Sequence, residues 1–468
     1  MREERSNSSD TAPLSLTEKV GYGLGDMAAN FYMGFFSIFL LYYYTDVWGL
    51  APAAVGVMFL VSKIIDAVTD PGMGLIADRT QSRWGKYRPY LLYMAVPYGV
   101  LGYMVFLGPD LSANGKLIYA YVTYILVFIA YTAINVPYSA LLAVISPVAE
   151  ERTKATTYRF IFAGTGSLLI AMFATPLTSY LGMGDEAKGF RLTMGLFASL
   201  AVVIFILVFL STKERIEPDL EHQSSARDDF KALLKNTSWV ALSIMSILLI
   251  VGIASRASSV VYYVKYFFDA DDSKVIFFFD QIAIFTSSGL AGQIVGTLIT
   301  PFLAKRFEKH HLIIGMCLLH AVILGLGYFI PVEGYWLAVG VHALGFLTLG
   351  VCLTLMFAMY TDCSEYGEWL TGKNTAGLTV SSSMFAMKFG AAIGTAIPGF
   401  ILSAVGFVAN QEQTETAISG IQLMCALLPA VVFIMAAVAM WFYKIDKSTL
   451  QTVEADLHAK RFPGGDLV

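Results

Sequence analysis

The stretch "SKIIDAVTDPGMG", residues 62–74, sets Lys63, Asp66 and Asp70 three and four residues apart, which puts all three on one face of a helix. Their neighbours are apolar, and a charge in a hydrocarbon core costs at least ~2.5–3.5 kcal/mol. Carboxylates at i and i+4 lie ~5–6 Å apart at the Cβ. Both stay ionised in a low dielectric only if a cation sits between or beside them; otherwise one takes up a proton. Carboxylates and carbonyls are the oxygen ligands that hard cations prefer. Pro71 lacks an N–H, so the carbonyl of Ala67 loses its helical partner, and such backbone is tolerated at depth only where it is buried or lines a polar cavity. Thr69 adds a hydroxyl, while Gly72 and Gly74 allow close helix approach. The stretch reads as a site for Na⁺, Li⁺ or H⁺, with Lys63 balancing one carboxylate.

Other polar groups sit in equally apolar surroundings. Asp26 and Asn30 are four apart in "GYGLGDMAANFYMGFF", and Tyr131, Thr132 and Asn135 precede Pro137 in "YTAINVPYSALL". Arg159, Arg256 and Lys388 complete the set, the last in "MFAMKFGAAIGT". An ionisable residue inside a membrane is a functional candidate by default. For Asp26 and Arg256 the plainer reading, a pair that holds helices together, stands beside it. Amides, a tyrosine, an arginine and a lysine with an aromatic face suit a polyhydroxylated ligand, which needs paired donors and acceptors and a ring to stack on. Tyr42, Tyr43 and Tyr44 read instead as an interfacial aromatic belt.

These residues need a scaffold of spans. The 468 residues are 56% hydrophobic and 14% charged, with a mean hydropathy of +0.64; soluble domains carry roughly 25% charged residues. A span takes ~20 apolar residues. Twelve stretches qualify: 20–45, 51–77, 88–108, 116–146, 158–182, 190–211, 237–267, 275–304, 311–330, 335–360, 375–406 and 416–443. The expected organisation is a cytoplasmic tail 1–19, a six-helix bundle 20–211, a cytoplasmic loop 212–236, a second bundle 237–443 and a cytoplasmic tail 444–468. The tail before Val20 has no apolar h-region, so the first span serves as the insertion signal. Arg79, Arg83, Lys86 and Arg88, then Lys305, Arg306 and Lys309, crowd one set of loops, while the opposite set holds Lys116, Lys188 and Lys274, with Arg191 and Lys265 at span ends. The positive-inside rule puts both termini in the cytoplasm of a cell-membrane protein. "GMGLIADRTQSRWGKYRPYLL" and "GTLITPFLAKRFEKHHLI" close the second and eighth spans. Repeated six-helix halves describe the all-α major facilitator architecture, whose substrate site is expected near the midplane between the halves. With a cation site in it, such a bundle is a coupled carrier.

The segments closely resemble the glycoside–pentoside–hexuronide:cation symporter family over nearly the whole chain. "YGLGD", "YYYTDVWGL", "DAVTDPGMGLIADRTQSRWGKYRP", "NVPYSAL", "YRFIFA", "YYVKYFF" and "DCSEYGEW" carry the likeness, together with Lys388. The resemblance implies that Asp66 and Asp70 are the coupling carboxylates, that Thr132 is a hydroxyl ligand, that Arg159 faces the sugar, and that Lys388 links the cation and sugar sites. Asp26, Asn30, Tyr131 and Asn135 join Arg159 and Lys388 as expected substrate contacts. The pattern departs at Asn30 and Asn135, which replace acidic residues, at Ser139, which replaces a stacking tryptophan, and at Thr69, which replaces an asparagine that helps select Na⁺. These departures leave the sugar open among neutral glycoside, pentoside and hexuronide, and the ion open between Na⁺ and H⁺.

Enzymatic chemistry finds no support. "GEWLTGKN", residues 367–374, lacks the Ser or Thr of a Walker A loop after Lys373 and follows a membrane helix rather than a strand. HExxH, GxSxG and clustered histidines are absent from the sequence. Cys317, Cys352, Cys363 and Cys425 show no metal or disulfide spacing, and the Asn7 and Asn236 sequons fall on cytoplasmic segments. No cofactor and no nucleic-acid partner is expected beyond the lipid bilayer, the sugar and the ion, and a monomer is the expected working unit. A carrier of lipids or other amphipathic solutes, or an exporter, is the alternative on the same scaffold.

Overall fold

The computed structural model is all-helical and describes residues 13–216, 233–269, 279–371 and 376–458. The "GEWLTGKN" stretch, the Asn7 sequon and both tails lie wholly or partly outside these residues. The chain divides into two compact units, Met1–Leu220 with Lys274–Ala283, and Glu221–Ser273 with Ile284–Val468.

The first unit holds α1 (Leu16–Phe35), α2 (Pro52–Arg79), α3 (Arg88–Tyr93), α4 (Ala95–Val105), α5 (Ala113–Val144), α6 (Ala149–Gly182) and α7 (Glu186–Ser211). A capping box starts α1: the Ser15 hydroxyl accepts from the Glu18 N–H while Glu18 reaches back to Ser15, two orphan donors satisfied reciprocally. Expected helix edges fall short where polar turns extend a span. α6 starts at Ala149 and not at 158, because Glu150, Glu151, Arg152 and Lys154 form a charged first turn and a half, with Glu151 bonded to Lys19 and the Leu14 N–H. The third span is two helices that meet at Met94. Pro97 explains the break, since its ring excludes the carbonyl of Tyr93 from helical geometry.

α1 packs most extensively on α6. A Cβ on Gly166 would meet the Met27 carbonyl oxygen at 2.8 Å, and one on Gly23 would meet the backbone of Tyr158 at 2.9 Å. Glycines here let two backbones approach closely, as small residues do in membrane helix pairs. α2 packs on α5.

The second unit holds α8 (Thr237–Tyr262), α9 (Gln281–Arg306), α10 (Lys309–Gly327), α11 (Tyr335–Thr371), α12 (Ala376–Ala404), α13 (Glu415–Gln422), α14 (Leu428–Met440) and α15 (Lys447–His458). α8 lies against α12, where Gly390 and Gly394 face the carbonyls of Ile247 and Val251. Asn236 caps α8: its Oδ1 accepts from the Trp239 N–H at 3.0 Å and its Nδ2 donates to the Cys363 carbonyl.

Among the described residues each expected span lies largely on helix, the eighth only from Gln281 onward. Among the described residues nine helices are long and apolar enough to cross a membrane on length and composition alone. The first three expected spans are not among the nine; two of them carry Asp26 and the Lys63–Asp70 charges, and the third is broken at Met94. The first helix of each unit ends in a π-helical turn, Tyr43–Val47 and Tyr263–Phe267. In both, an N–H reaches back five residues, Trp48 to the Tyr43 carbonyl and Phe268 to that of Tyr263.

Candidate functional site

The three charges of α2 do not share one environment. Lys63 Nζ donates to Asp66 Oδ2 at 2.9 Å and lies 4.0 Å from the centre of the Phe128 ring on α5. Asp66 is 3% exposed, and its Oδ1 has no hydrogen-bond partner among the described residues. One turn later Asp70 Oδ1 accepts from the Thr132 hydroxyl at 2.8 Å, so α2 and α5 are tied at this level. Pro71 sits within α2 and does not end it. The Thr69 hydroxyl donates to the Asp66 main-chain oxygen at 3.4 Å, along its own helix. Two carboxylates, one with an oxygen that lacks a donor, and a hydroxyl make an oxygen-rich patch beside an internal ammonium. Among the described residues no group of three His, Cys, Asp or Glu side chains has the arrangement of a metal site.

A second cluster spans α1, α5 and α6. Arg159 grips Asp26 with both arms of its fork, Nε to Oδ2 at 2.6 Å and NH2 to Oδ1 at 3.2 Å. Its NH1 donates to the Tyr22 hydroxyl at 3.3 Å, and its guanidinium lies 4.8 Å from the Tyr138 ring centre. Tyr22 and Tyr138 bond each other's carbonyls at 3.2 and 2.6 Å. Asn30 donates to the Asp26 carbonyl at 2.8 Å and accepts from Ser167 at 3.2 Å. Bidentate pairing and stacking on aromatic faces are what a guanidinium offers and an ammonium does not. Tyr22, Tyr138 and Ser167 are absent from the sequence-derived set. Tyr22 lies one turn before Asp26, and Tyr138 completes the i, i+4, i+7 stripe begun by Tyr131 and Asn135, so spacing could have found both.

Tyr131 and Asn135 are half-buried on α5, and the Tyr131 ring centre lies 6.3 Å from that of Tyr98. Lys388 is half-buried on α12, in the other unit. Arg256 is also in that unit, 7% exposed, bonded to His342 and to the Cys425 carbonyl.

The belt reading of Tyr42, Tyr43 and Tyr44 is incorrect. They are 3%, 0% and 0% exposed. The π-helical turn brings successive rings inward: Tyr43 donates to the Phe106 carbonyl at 2.8 Å and Tyr42 to Glu186 Oε1 at 2.8 Å. Asp46, at the end of the same run, is 6% exposed and accepts from Thr45; the sequence inventory of intramembrane charges passed over it. All four cysteines are free and buried.

Two bundles of membrane helices with paired charges at depth define a membrane carrier of the major facilitator type. The family described as MFS/sugar transport protein matches residues 21–447, and the chain belongs to it, within the glycoside–pentoside–hexuronide:cation symporters of the major facilitator superfamily. The uncharacterized symporter YnaJ of Bacillus subtilis (strain 168) is 37% identical over 460 residues, 96% of each chain. The isoprimeverose transporter of Lactiplantibacillus pentosus is 34% identical over 95% of this chain and 91% of its own. The putative glycoside/cation symporter YagG of Escherichia coli (strain K12) is 33% identical over 97% of each. The crystal structure of a D-xylose-proton symporter superposes with a TM-score of 0.61 at 14% identity, covering 92% of this chain and 97% of that one, a likeness of fold. The protein is a multi-pass membrane transporter, not an enzyme, and works by cation-coupled sugar symport.

Proposed function

We propose that the coupling ion is bound by Asp66, Asp70 and Thr132, and that the sugar is a neutral glycoside or pentoside received beside Asp26, Asn30, Tyr131, Asn135 and Arg159. The observation that carries the ion site is Asp66 Oδ1, a buried carboxylate oxygen with no donor among the described residues, one turn from Asp70. An unsatisfied buried acceptor is costly, and a monovalent cation beside it removes that cost. Lys63 already holds the other oxygen of Asp66, so the patch carries about one net negative charge, which one Na⁺ or one H⁺ balances.

The neutral sugar follows from the second cluster. Arg159 is held by the two oxygens of Asp26, which leaves that cluster without net charge, and Asn30 and Asn135 stand where the family pattern has acids. Paired donors and acceptors beside the Tyr131 ring fit sugar hydroxyls. Both termini are placed in the cytoplasm by the distribution of Lys and Arg. Lys388 belongs to the other unit, and its coupling role rests on the family resemblance. The name of the L. pentosus relative supports a glycoside.

The test is uptake and counterflow in proteoliposomes with a panel of neutral glycosides, pentosides and hexuronides, under a Na⁺ gradient and under a H⁺ gradient at fixed pH. Na⁺- or H⁺-driven uptake of a neutral sugar, abolished by Asp70→Cys, is expected. Uptake that survives removal of both Asp66 and Asp70 would sink the ion site, and competition by hexuronides alone would overturn the substrate class.

A further inference from the structure

Arg256 poses a question that sugar transport does not answer. It lies in α8 with 7% of its surface exposed, and a guanidinium keeps its charge in proteins. Buried charges are ordinarily paired, because an uncompensated one loses its hydration and gains nothing opposite. Yet among the described residues no carboxylate reaches it. Its acceptors are neutral: Nε and NH2 approach His342 Nδ1 at 3.3 and 2.9 Å, and NH1 donates to the Cys425 carbonyl. That carbonyl lies in a π-helical turn, Leu423–Leu427, the kind of local bulge that recurs at functional positions in helices. The His342 ring stacks on Phe285 at 4.2 Å between centroids and meets Phe346 in a tilted contact at 4.5 Å. To accept at Nδ1 the imidazole must be neutral, with its proton on Nε2. The cationic charge of Arg256 therefore stays uncompensated by its described neighbours.

Beside the guanidinium is a small cavity. Arg256 and Tyr263 contribute the polar part of its wall, and Phe285, Leu324, Val341 and Ala426 are among the apolar groups that complete it. All belong to the second unit. The space is about that of a single water-sized body, so a sugar does not fit. Tyr263, 5% exposed, is about two helical turns beyond Arg256 on the same chain segment. The wall thus presents a fixed positive charge and a phenol able to donate, and none of its described residues is a carboxylate that would repel a negative guest.

We propose that this cavity is a site for a small monovalent anion of halide size, held by Arg256 and by the hydroxyl of Tyr263. The anion supplies the missing counter-charge. It stabilises the packing of α8 against α11 and the α13–α14 segment, to which Arg256 is already bonded through His342 and Cys425. This role is independent of the sugar and of the coupling cation.

The test uses purified full-length protein, with thermal unfolding followed by intrinsic fluorescence. Chloride is titrated against gluconate at constant Na⁺, pH and ionic strength, so that an effect of the coupling cation cannot enter. Wild type is expected to gain thermal stability saturably with chloride, and bromide to substitute for it. Arg256→Gln is expected to lose the chloride dependence. Tyr263→Phe should keep it with apparent affinity weakened roughly tenfold, as for loss of one hydrogen bond to a charged group. Should Arg256→Gln fail to fold, Tyr263→Phe and the anomalous signal of bromide in crystals of the wild type decide the matter. A wild type indifferent to the exchange of chloride for gluconate, or a cavity without bromide, overturns the site. Chloride dependence unchanged in both variants overturns it as well, by placing the anion elsewhere.

Discussion

Asp66 and Asp70 are one turn apart and chemically unequal. Asp66 is bound by an ammonium on one oxygen and, among the described residues, by no donor on the other, whereas Asp70 accepts from Thr132 across the α2–α5 contact. Asp66→Asn is expected to reduce ion-driven uptake about tenfold or more, from the loss of a charged ligand at ~1.5–3 kcal/mol. Thr132→Val should raise the half-saturating cation concentration about tenfold, since a hydrogen bond to a charged group is worth ~1.5 kcal/mol or more. Ion titration of counterflow in proteoliposomes measures both. An unchanged ion dependence in Asp66→Asn would count against the assignment. The i, i+4 spacing of these acids was legible from sequence alone, because a helix fixes the geometry of its own side chains. The grip of Arg159 on Asp26 was not, because 133 residues separate them and only the packing of α1 on α6 brings them together. The burial of Tyr42–Tyr44 was misread for a related reason. Helical periodicity assumes 3.6 residues per turn, and the π-helical turn changes the face on which each ring emerges.

At the scale of helices, hydropathy registers the part of a helix that lies in hydrocarbon and is blind to the polar turns that prolong it. That is why α6 begins nine residues ahead of its expected start, and why the break at Met94 was invisible until Pro97 was placed inside a helix. Packing between helices rests on glycines whose necessity can be tested in pairs. Gly166→Ala puts a methyl group against the Met27 carbonyl at 2.8 Å. A backbone neighbour cannot step aside, so it should destabilise by ~1–3 kcal/mol, as overpacking does, and lower the thermal midpoint. Gly164→Ala, two residues away with nothing within 4 Å, should leave the midpoint unchanged or raise it slightly. Equal effects of the two would mean that the α1–α6 distance is not set by Gly166. The start of α15 has its own signature. Asp446 Oδ1 accepts from the Thr449 hydroxyl at 2.6 Å and from its N–H at 2.7 Å, and these bonds with that of Ser448 hold its carboxyl down to about 2. A lowered carboxyl contributes stability that is present above its ordinary value and lost as pH falls through the folded one. α15 should therefore keep its cap at pH 4 and fray towards pH 2, seen as faster proteolysis of the C-terminal segment by an acid protease. Asp446→Ala should show that fraying already at neutral pH.

For the molecule as a whole, the distribution of Lys and Arg predicts which loops face the cytoplasm. The four native cysteines are buried, so exposed single cysteines can be added to a nearly silent background. A membrane-impermeant maleimide should label Asn114→Cys on intact cells, and Gln81→Cys only after permeabilisation. The reverse pattern would invert the topology. The division into two halves could be suspected from a weak repeat at the second and eighth spans, yet the clearest mark of kinship lies elsewhere. Both first helices end in a π-helical turn opened by a tyrosine, Tyr43 and Tyr263. A π-helical turn is the trace of one residue inserted into an α-helix. Its recurrence at the end of the first helix of both halves, closed each time by an N–H that reaches back five residues, is the mark that descent of the two halves from one ancestral segment would leave.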